Sequence, residues 1–173
     1  MENSLCIGLP AQVSVQCRVL VVGSMPGIAS LQAAQYYAHP RNRFWPLMQA
    51  LCGVDTGLDY SARIAALNAA GVGLWDVIGR CRRRGSLDAA IVRGSEVPNA
   101  LGALIAGLPH LRAVACNGGT AHQALVRFIV PTLADDGRPL AIWSLPSTSP
   151  ANAAWPLPRL QAAWQPLAEA AVP

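Results

Sequence analysis

Lysine is missing from this sequence: all 13 basic side chains are arginine. An enzyme that runs its chemistry through a lysine Schiff base cannot be built from such a chain, and only the N-terminal amine remains for that role. Charge is scarce as well, at 13% of 173 residues against 53% hydrophobic, the balance of a globular chain rather than a disordered one. Five cysteines stand at positions 6, 17, 52, 81 and 116, odd in number, irregularly spaced and without a C-x-x-C pair. That pattern suggests neither a disulfide framework nor a zinc or iron–sulfur site; reduced, mostly buried thiols are expected. The N-terminus has Glu2 where a signal peptide wants positive charge, and no clean apolar run follows it. The longest uncharged run, Pro139 to Pro158, carries five prolines and several hydroxyls, so it is no membrane span. The expectation is a cytoplasmic protein with no membrane partner. Its net charge of +4 and pI of about 9.1 add a mild bias toward polyanions.

What is present is regular alternation. Four apolar runs without strict polar alternation, at 18–24, 71–77, 112–118 and 140–146, read as strands covered on both faces. Helix-like segments fall at 44–53, 60–71, 98–109 and 119–129, followed by a C-terminal helix from Leu157 in which Pro166 predicts a break or kink. Strand and helix in turn argue for a parallel sheet with helices on both faces, within one domain spanning 1–173. Each strand delivers a glycine-rich or polar loop at its carboxyl end: GSMPG, WDVIGR, NGGTAH and LPSTSPAN. Ligands of open parallel sheets bind outside those ends.

One stretch, VVGSMPGIASLQAAQYYAHPRNRFW at 21–45, is unusually specific. Gly23, Pro26 and Gly27 mark a tight strand exit where backbone can approach a ligand. Tyrosines interleaved with arginine then suit a flat ring attached to a phosphate, which points to a nucleobase.

Taken in order, GSMPGIAS, QYYAHPRNRFW, GLWDVIGRCRRRGSLDAAI, CNGGTAH and LPSTSPAN resemble the DNA-deoxyinosine (hypoxanthine-DNA) glycosylase family within the uracil-DNA glycosylase superfamily, over residues 18 to 155. The resemblance implies a three-layer α-β-α sandwich on a four-stranded, mainly parallel sheet, acting without metal or cofactor on a base flipped out of DNA; a monomer is expected. Met25 stands where the mismatch-specific branch carries a catalytic asparagine, and a thioether can neither orient water nor donate a hydrogen bond. The family's catalytic asparagine corresponds instead to Asn42, whose amide is expected to bind the attacking water; as residues alone, a loop-capping asparagine is the alternative. Substrate recognition falls by the same resemblance to Asn117, whose amide can both donate and accept. Asp76 lies where the mismatch-specific branch has a base-reading asparagine, and a carboxylate can take only the N1–H; capping of the next turn is its other reading. Ser24 and Met25 of the first loop are expected to shape the backbone around the base. One of Tyr36 and Tyr37 is expected in the core, with Tyr37 stacking on the flipped base.

Ser147 and Ser149 offer hydroxyls to phosphate oxygens, Pro150 and Ala151 an apolar wedge, and Arg41 and Arg43 flank Asn42 as DNA contacts. Arg80, Arg82, Arg83 and Arg84 form the basic cluster, with solvated faces and phosphate contact both open. The implied activity is monofunctional hydrolysis of the N-glycosidic bond of hypoxanthine in base excision repair, with DNA containing deaminated bases as partner. Uracil, xanthine or mismatch activity is the alternative within that class. A non-catalytic nucleotide- or DNA-binding domain is the alternative outside it, although no G-x-G-x-x-G, P-loop or G-x-S-x-G pattern is present.

Overall fold

The computed structural model describes residues 2–173. In chain order its elements are β1 (Ser4–Ile7), β2 (Val19–Gly23), α1 (Ile28–Ala33), α2 (Phe44–Cys52), α3 (Tyr60–Ala69), β3 (Val72–Asp76), β4 (Ile78–Arg83), β5 (Val97–Pro98), α4 (Leu101–Ala106), β6 (Ala113–Asn117), α5 (Gly119–Phe128), β7 (Ala141–Leu145) and α6 (Leu157–Ala171). The four expected strands form one four-stranded parallel sheet in the order β3-β2-β6-β7.

The absence of alternation in these strands has the expected cause, since both faces are covered. Along β2, Val19 and Val21 turn into a core shared with Phe44, Leu47 and Met48 of α2, Leu67 of α3 and Leu160, Trp164 and Leu167 of α6. Leu20 and Val22 turn the other way, toward Leu101 and Ile105 of α4 and Ala121 and Leu125 of α5. The result is the α-β-α sandwich. The chain leaves β2 toward β3 on one side of the sheet and returns through β6 on the other, so the loops after β2 and β6 diverge and open a crevice at their carboxyl ends.

Three local expectations are corrected. The WDVIGR segment is not a polar loop: after Val77 alone the chain re-enters a strand, and β4 pairs with β1 and β5 in a separate antiparallel sheet. Period-two alternation then divides the arginine run, sending Arg80 and Arg82 outward and Arg83, 1% exposed, inward, where its guanidinium donates to the Pro26 carbonyl. The segment at 98–109 yields a shorter helix, because Val97–Pro98 is taken by the ladder with β4. Pro166 does not break α6, which runs through it. The missing N–H would have served the Ala162 carbonyl, and Ala162 and Pro166 both lie on the exposed face, where water can replace it.

Trp164 joins this framework to the crevice: its side chain is fully buried between α6 and the sheet, and its indole N–H donates to the Pro146 carbonyl at 2.9 Å, at the start of the last loop. Trp164→Ala should cost about 3–5 kcal/mol and lower the melting temperature by roughly 10 °C or more, read by thermal unfolding.

Candidate functional site

The diverging loops enclose a cavity of about 1100 Å³, lined from the first loop by Gly23 to Ser30, from the next by Tyr37, His39 and Asn42, and on the far side by Asp76, Asp88, Asn117 and residues 144–152. All four sequence motifs meet there. Among the described residues, no group of three or more His, Cys, Asp or Glu side chains is gathered as a metal would require.

One wall is a closed polar network. Asn42 precedes α2, and its Oδ1 accepts from the Phe44 N–H at 2.9 Å, satisfying one of the helix's free donors. The same oxygen accepts from the Thr148 hydroxyl at 2.9 Å. Thr148 is fully buried. Its Oγ1 accepts from Asn117 Nδ2 at 3.0 Å, its N–H donates to Asn117 Oδ1 at 2.9 Å, and its carbonyl accepts from the Arg43 N–H at 3.1 Å. The capping reading of Asn42 is met by its oxygen, which takes the Phe44 N–H, while the NH2 group makes no hydrogen bond among the described residues and Asn42 lines the cavity. Asn117 has both ends of its amide engaged by Thr148, with one N–H left over. Gly118 follows with φ of 99°, a left-handed turn that brings its backbone against Ser147.

The floor is different. Asp76 ends β3 beside Gly23 in the parallel ladder and is 4% exposed. A Cβ at Gly23 would fall 2.5 Å from Asp76 Oδ1, so this glycine is required by the neighbouring carboxyl rather than by a ligand's approach. Burial, and then the negative charge of Asp88, push the Asp76 carboxyl up to about 7, against the opposing pull of the Gly23 N–H and the Arg83 guanidinium. Burial also raises Asp88, which accepts from the Ser24 hydroxyl at 2.7 Å. Among the described residues Asp76 Oδ2 has no hydrogen-bond partner.

The tyrosine pair separates as expected in one respect. Tyr36 is core, 2% exposed, with its hydroxyl donating to the Leu9 and Pro10 carbonyls. Tyr37 lines the cavity, held in left-handed backbone with φ of 56°. One face of its ring is already stacked on Phe44, with centroids 4.0 Å apart and planes 24° from parallel. Met25 is buried against Ile78 and Cys81 and anchors the first loop from beneath.

In the last loop, Ser147 Oγ accepts from the Ser149 N–H and Ser149 Oγ from the Ala151 N–H, so each hydroxyl keeps its own hydrogen for an outside acceptor. Pro150 and Ala151 lie at the cavity rim. Arg43 is spent inside the protein: its guanidinium donates to the carbonyls of Trp155, Ser149 and Asn152 and holds this loop in shape. Arg41 is exposed, and no side-chain hydrogen bond of it is found among the described residues.

The sequence reading passed over Thr148, Phe44 and Asp88. Thr148 lay between two serines that drew attention for their exposure, and its role depends on partners 31 and 106 residues away.

Comparison with known proteins agrees with this arrangement. Residues 10–168 match the model of the uracil DNA glycosylase superfamily. A protein of Methanosarcina acetivorans named hypoxanthine DNA glycosylase is 33% identical over 146 residues, 84% of this chain and 87% of its own. One of the same name from Methanosarcina barkeri is 36% identical over 112 residues, 64% of this chain and 70% of its own. A solution NMR structure of a candidate uracil DNA glycosylase from Methanosarcina acetivorans superposes with a TM-score of 0.73 at 28% identity, over 95% of this chain and 99% of the other. With its fold, crevice and ordered motifs in agreement, the chain belongs to the uracil DNA glycosylase superfamily and is a DNA glycosylase.

Proposed function

We propose that this DNA glycosylase is monofunctional, acts as a monomer, and hydrolyses the N-glycosidic bond of deaminated bases in DNA, hypoxanthine first, in base excision repair. The observation that carries the reading is the Asn42 amide, fixed through its oxygen by Thr148 and the Phe44 N–H, with its NH2 group left for the cavity. The name shared by the two Methanosarcina relatives supports hypoxanthine as the base.

Reaction proceeds through an oxocarbenium-like transition state in which the sugar gains positive charge and the base negative charge. Both lone pairs of Asn42 Oδ1 are engaged, so this oxygen takes no proton from water. The NH2 group donates instead, holding the attacking water by its oxygen or steadying charge on the departing base. An already oriented donor needs no reorganisation as that charge develops. Asp76 accepts the N1–H of the base, and Asn117, through its remaining N–H, donates to it. Ser147 and Ser149 donate their free hydroxyl hydrogens to phosphate oxygens, with Arg41 as the nearby cation, and Pro150 and Ala151 fill the gap left in the duplex. The absence of lysine leaves no conventional lysine lyase step, so the product strand stays intact until alkali or another enzyme cuts it.

Asn42→Ala should keep the fold and lower single-turnover excision from deoxyinosine DNA about 100-fold or more, followed by alkaline cleavage of a labelled oligonucleotide. An unchanged rate removes Asn42 from the mechanism.

Ionised Asp76 is the acceptor in this scheme, so kcat/KM should fall about tenfold per pH unit below the Asp76 pKa of about 7 and level off above it. Asp76→Asn should flatten that limb, because its amide oxygen accepts at every pH. Stability runs in the same window. The folded-state pKa is raised, so the contribution of Asp76 is complete below the ordinary carboxylate pKa and is lost as pH rises through about 7. The melting temperature of Asp76→Asn should therefore gain on the parent protein between about pH 5 and about pH 8.

A further inference from the structure

Among the described residues, two buried polar atoms of side chains that line the cavity have no hydrogen-bond partner: the Tyr37 hydroxyl and Asp76 Oδ2. Buried polar groups in folded proteins are almost always paired, and an exception at a binding cavity marks a valence kept for a ligand. The Asn117 amide approaches the Tyr37 hydroxyl without completing a hydrogen bond. Both groups converge on one backbone position, since a Cβ at Gly23 would lie 2.5 Å from Asp76 Oδ1 and 3.9 Å from the Tyr37 oxygen. The Phe44 stack and the left-handed backbone of Tyr37 fix the ring and with it the direction of the hydroxyl. Burial first, and the Asp76 charge second, keep that hydroxyl protonated and so a donor.

We infer that the Tyr37 hydroxyl and the Asp76 carboxylate form a donor beside an acceptor that together read the edge deamination creates on a base. Adenine presents an amino donor next to a ring-nitrogen acceptor, and cytosine does likewise. Deamination reverses the pair: hypoxanthine and uracil each present a carbonyl acceptor next to a ring N–H donor. Tyr37 donates to the new carbonyl and Asp76 accepts from the adjacent N–H. An undamaged adenine or cytosine sets acceptor against acceptor at Asp76 and donor against donor at Tyr37, and both mismatches fall on buried groups. Xanthine carries the same edge as hypoxanthine, so the substrate class is deaminated bases with an N–H/C=O edge. Guanine carries that edge too, and its rejection falls to extrusion, which costs least for a mispaired base.

The inference rests on the glycosylase reading for the base being the ligand, but free-base binding tests it separately from excision. Hypoxanthine, 1-methylhypoxanthine and adenine are titrated against the intact protein, Tyr37→Phe and Asp76→Asn by NMR, at a pH about one unit above 7 so that Asp76 is ionised. Deoxyinosine excision is measured alongside, and melting temperatures confirm that both variants fold. Tyr37→Phe keeps the ring and its stack and removes only the donor. The pair predicts hypoxanthine binding at least tenfold tighter than either other base, with its preference over adenine reduced about tenfold by Tyr37→Phe, its preference over 1-methylhypoxanthine unchanged in that variant, and excision falling in parallel. Equal affinity for the three bases, no hypoxanthine binding up to millimolar concentration, or a Tyr37→Phe protein indistinguishable from the parent overturns the inference. Selective binding retained in a protein that excises nothing supports the pair and overturns the glycosylase reading alone.

Discussion

Thr148 is the joint on which the site depends. Three segments far apart in sequence end at it: the loop before α2 through Asn42 and Arg43, the end of β6 through Asn117, and the last loop through Thr148 itself. Its N–H, carbonyl and hydroxyl are all paired, and its side chain is fully buried. A fully satisfied polar network in a low-dielectric interior is stiff, because moving any member leaves another unpaired. The Asn42 NH2 group thereby acquires a fixed position without a hydrogen bond of its own to the described residues.

The floor of the same cavity follows the opposite rule. Asp76 and Tyr37 are packed tightly, by Gly23 below one and Phe44 beside the other, yet each keeps a polar atom unpaired. Packing holds these groups where hydrogen bonding does not, and the proposed reading of the base rests on the capacity they leave unpaired. Arg83 shows a similar economy beneath the first loop. It is buried behind Pro26 with its charge felt by both Asp76 and Asp88, and it tempers an acidic floor that burial would otherwise drive still further toward neutrality.

Much of this was legible in the sequence, and the parts that were not share a cause. The strand at Val19–Gly23 and its neighbours β3 and β6 announce themselves because burial on two faces leaves a continuous apolar run, and β7 keeps such a run although it lies partly exposed at the sheet edge. The helices from Phe44 and Tyr60 follow from apolar spacing and, for the latter, from Asp59 capping the Ala62 N–H. Loop chemistry at Asn42, Asp76 and Asn117 was visible as residue type in a strand-end loop. The antiparallel sheet was not visible, since CRRR reads as a charge run until pairing with β1 sends Arg83 inward. Arg43 resembles its neighbour Arg41 in sequence and differs from it only through carbonyls more than a hundred residues away. Thr148 was missed for the same reason. Local pattern specifies elements, while the pairing of single polar groups across the fold is set by tertiary packing that no local window contains.

The central claim is that Thr148 acts by holding Asn42, and a double-mutant cycle between the two measures it directly. Thr148→Val keeps the shape and removes the hydroxyl. Single-turnover excision from deoxyinosine DNA should fall at least tenfold in this variant, and the Asn42→Ala/Thr148→Val double variant should be no slower than Asn42→Ala alone, because residues acting as one unit are not additive. A Thr148→Val protein that excises at the parent rate, or a double variant slower by the product of the two single losses, would contradict the account.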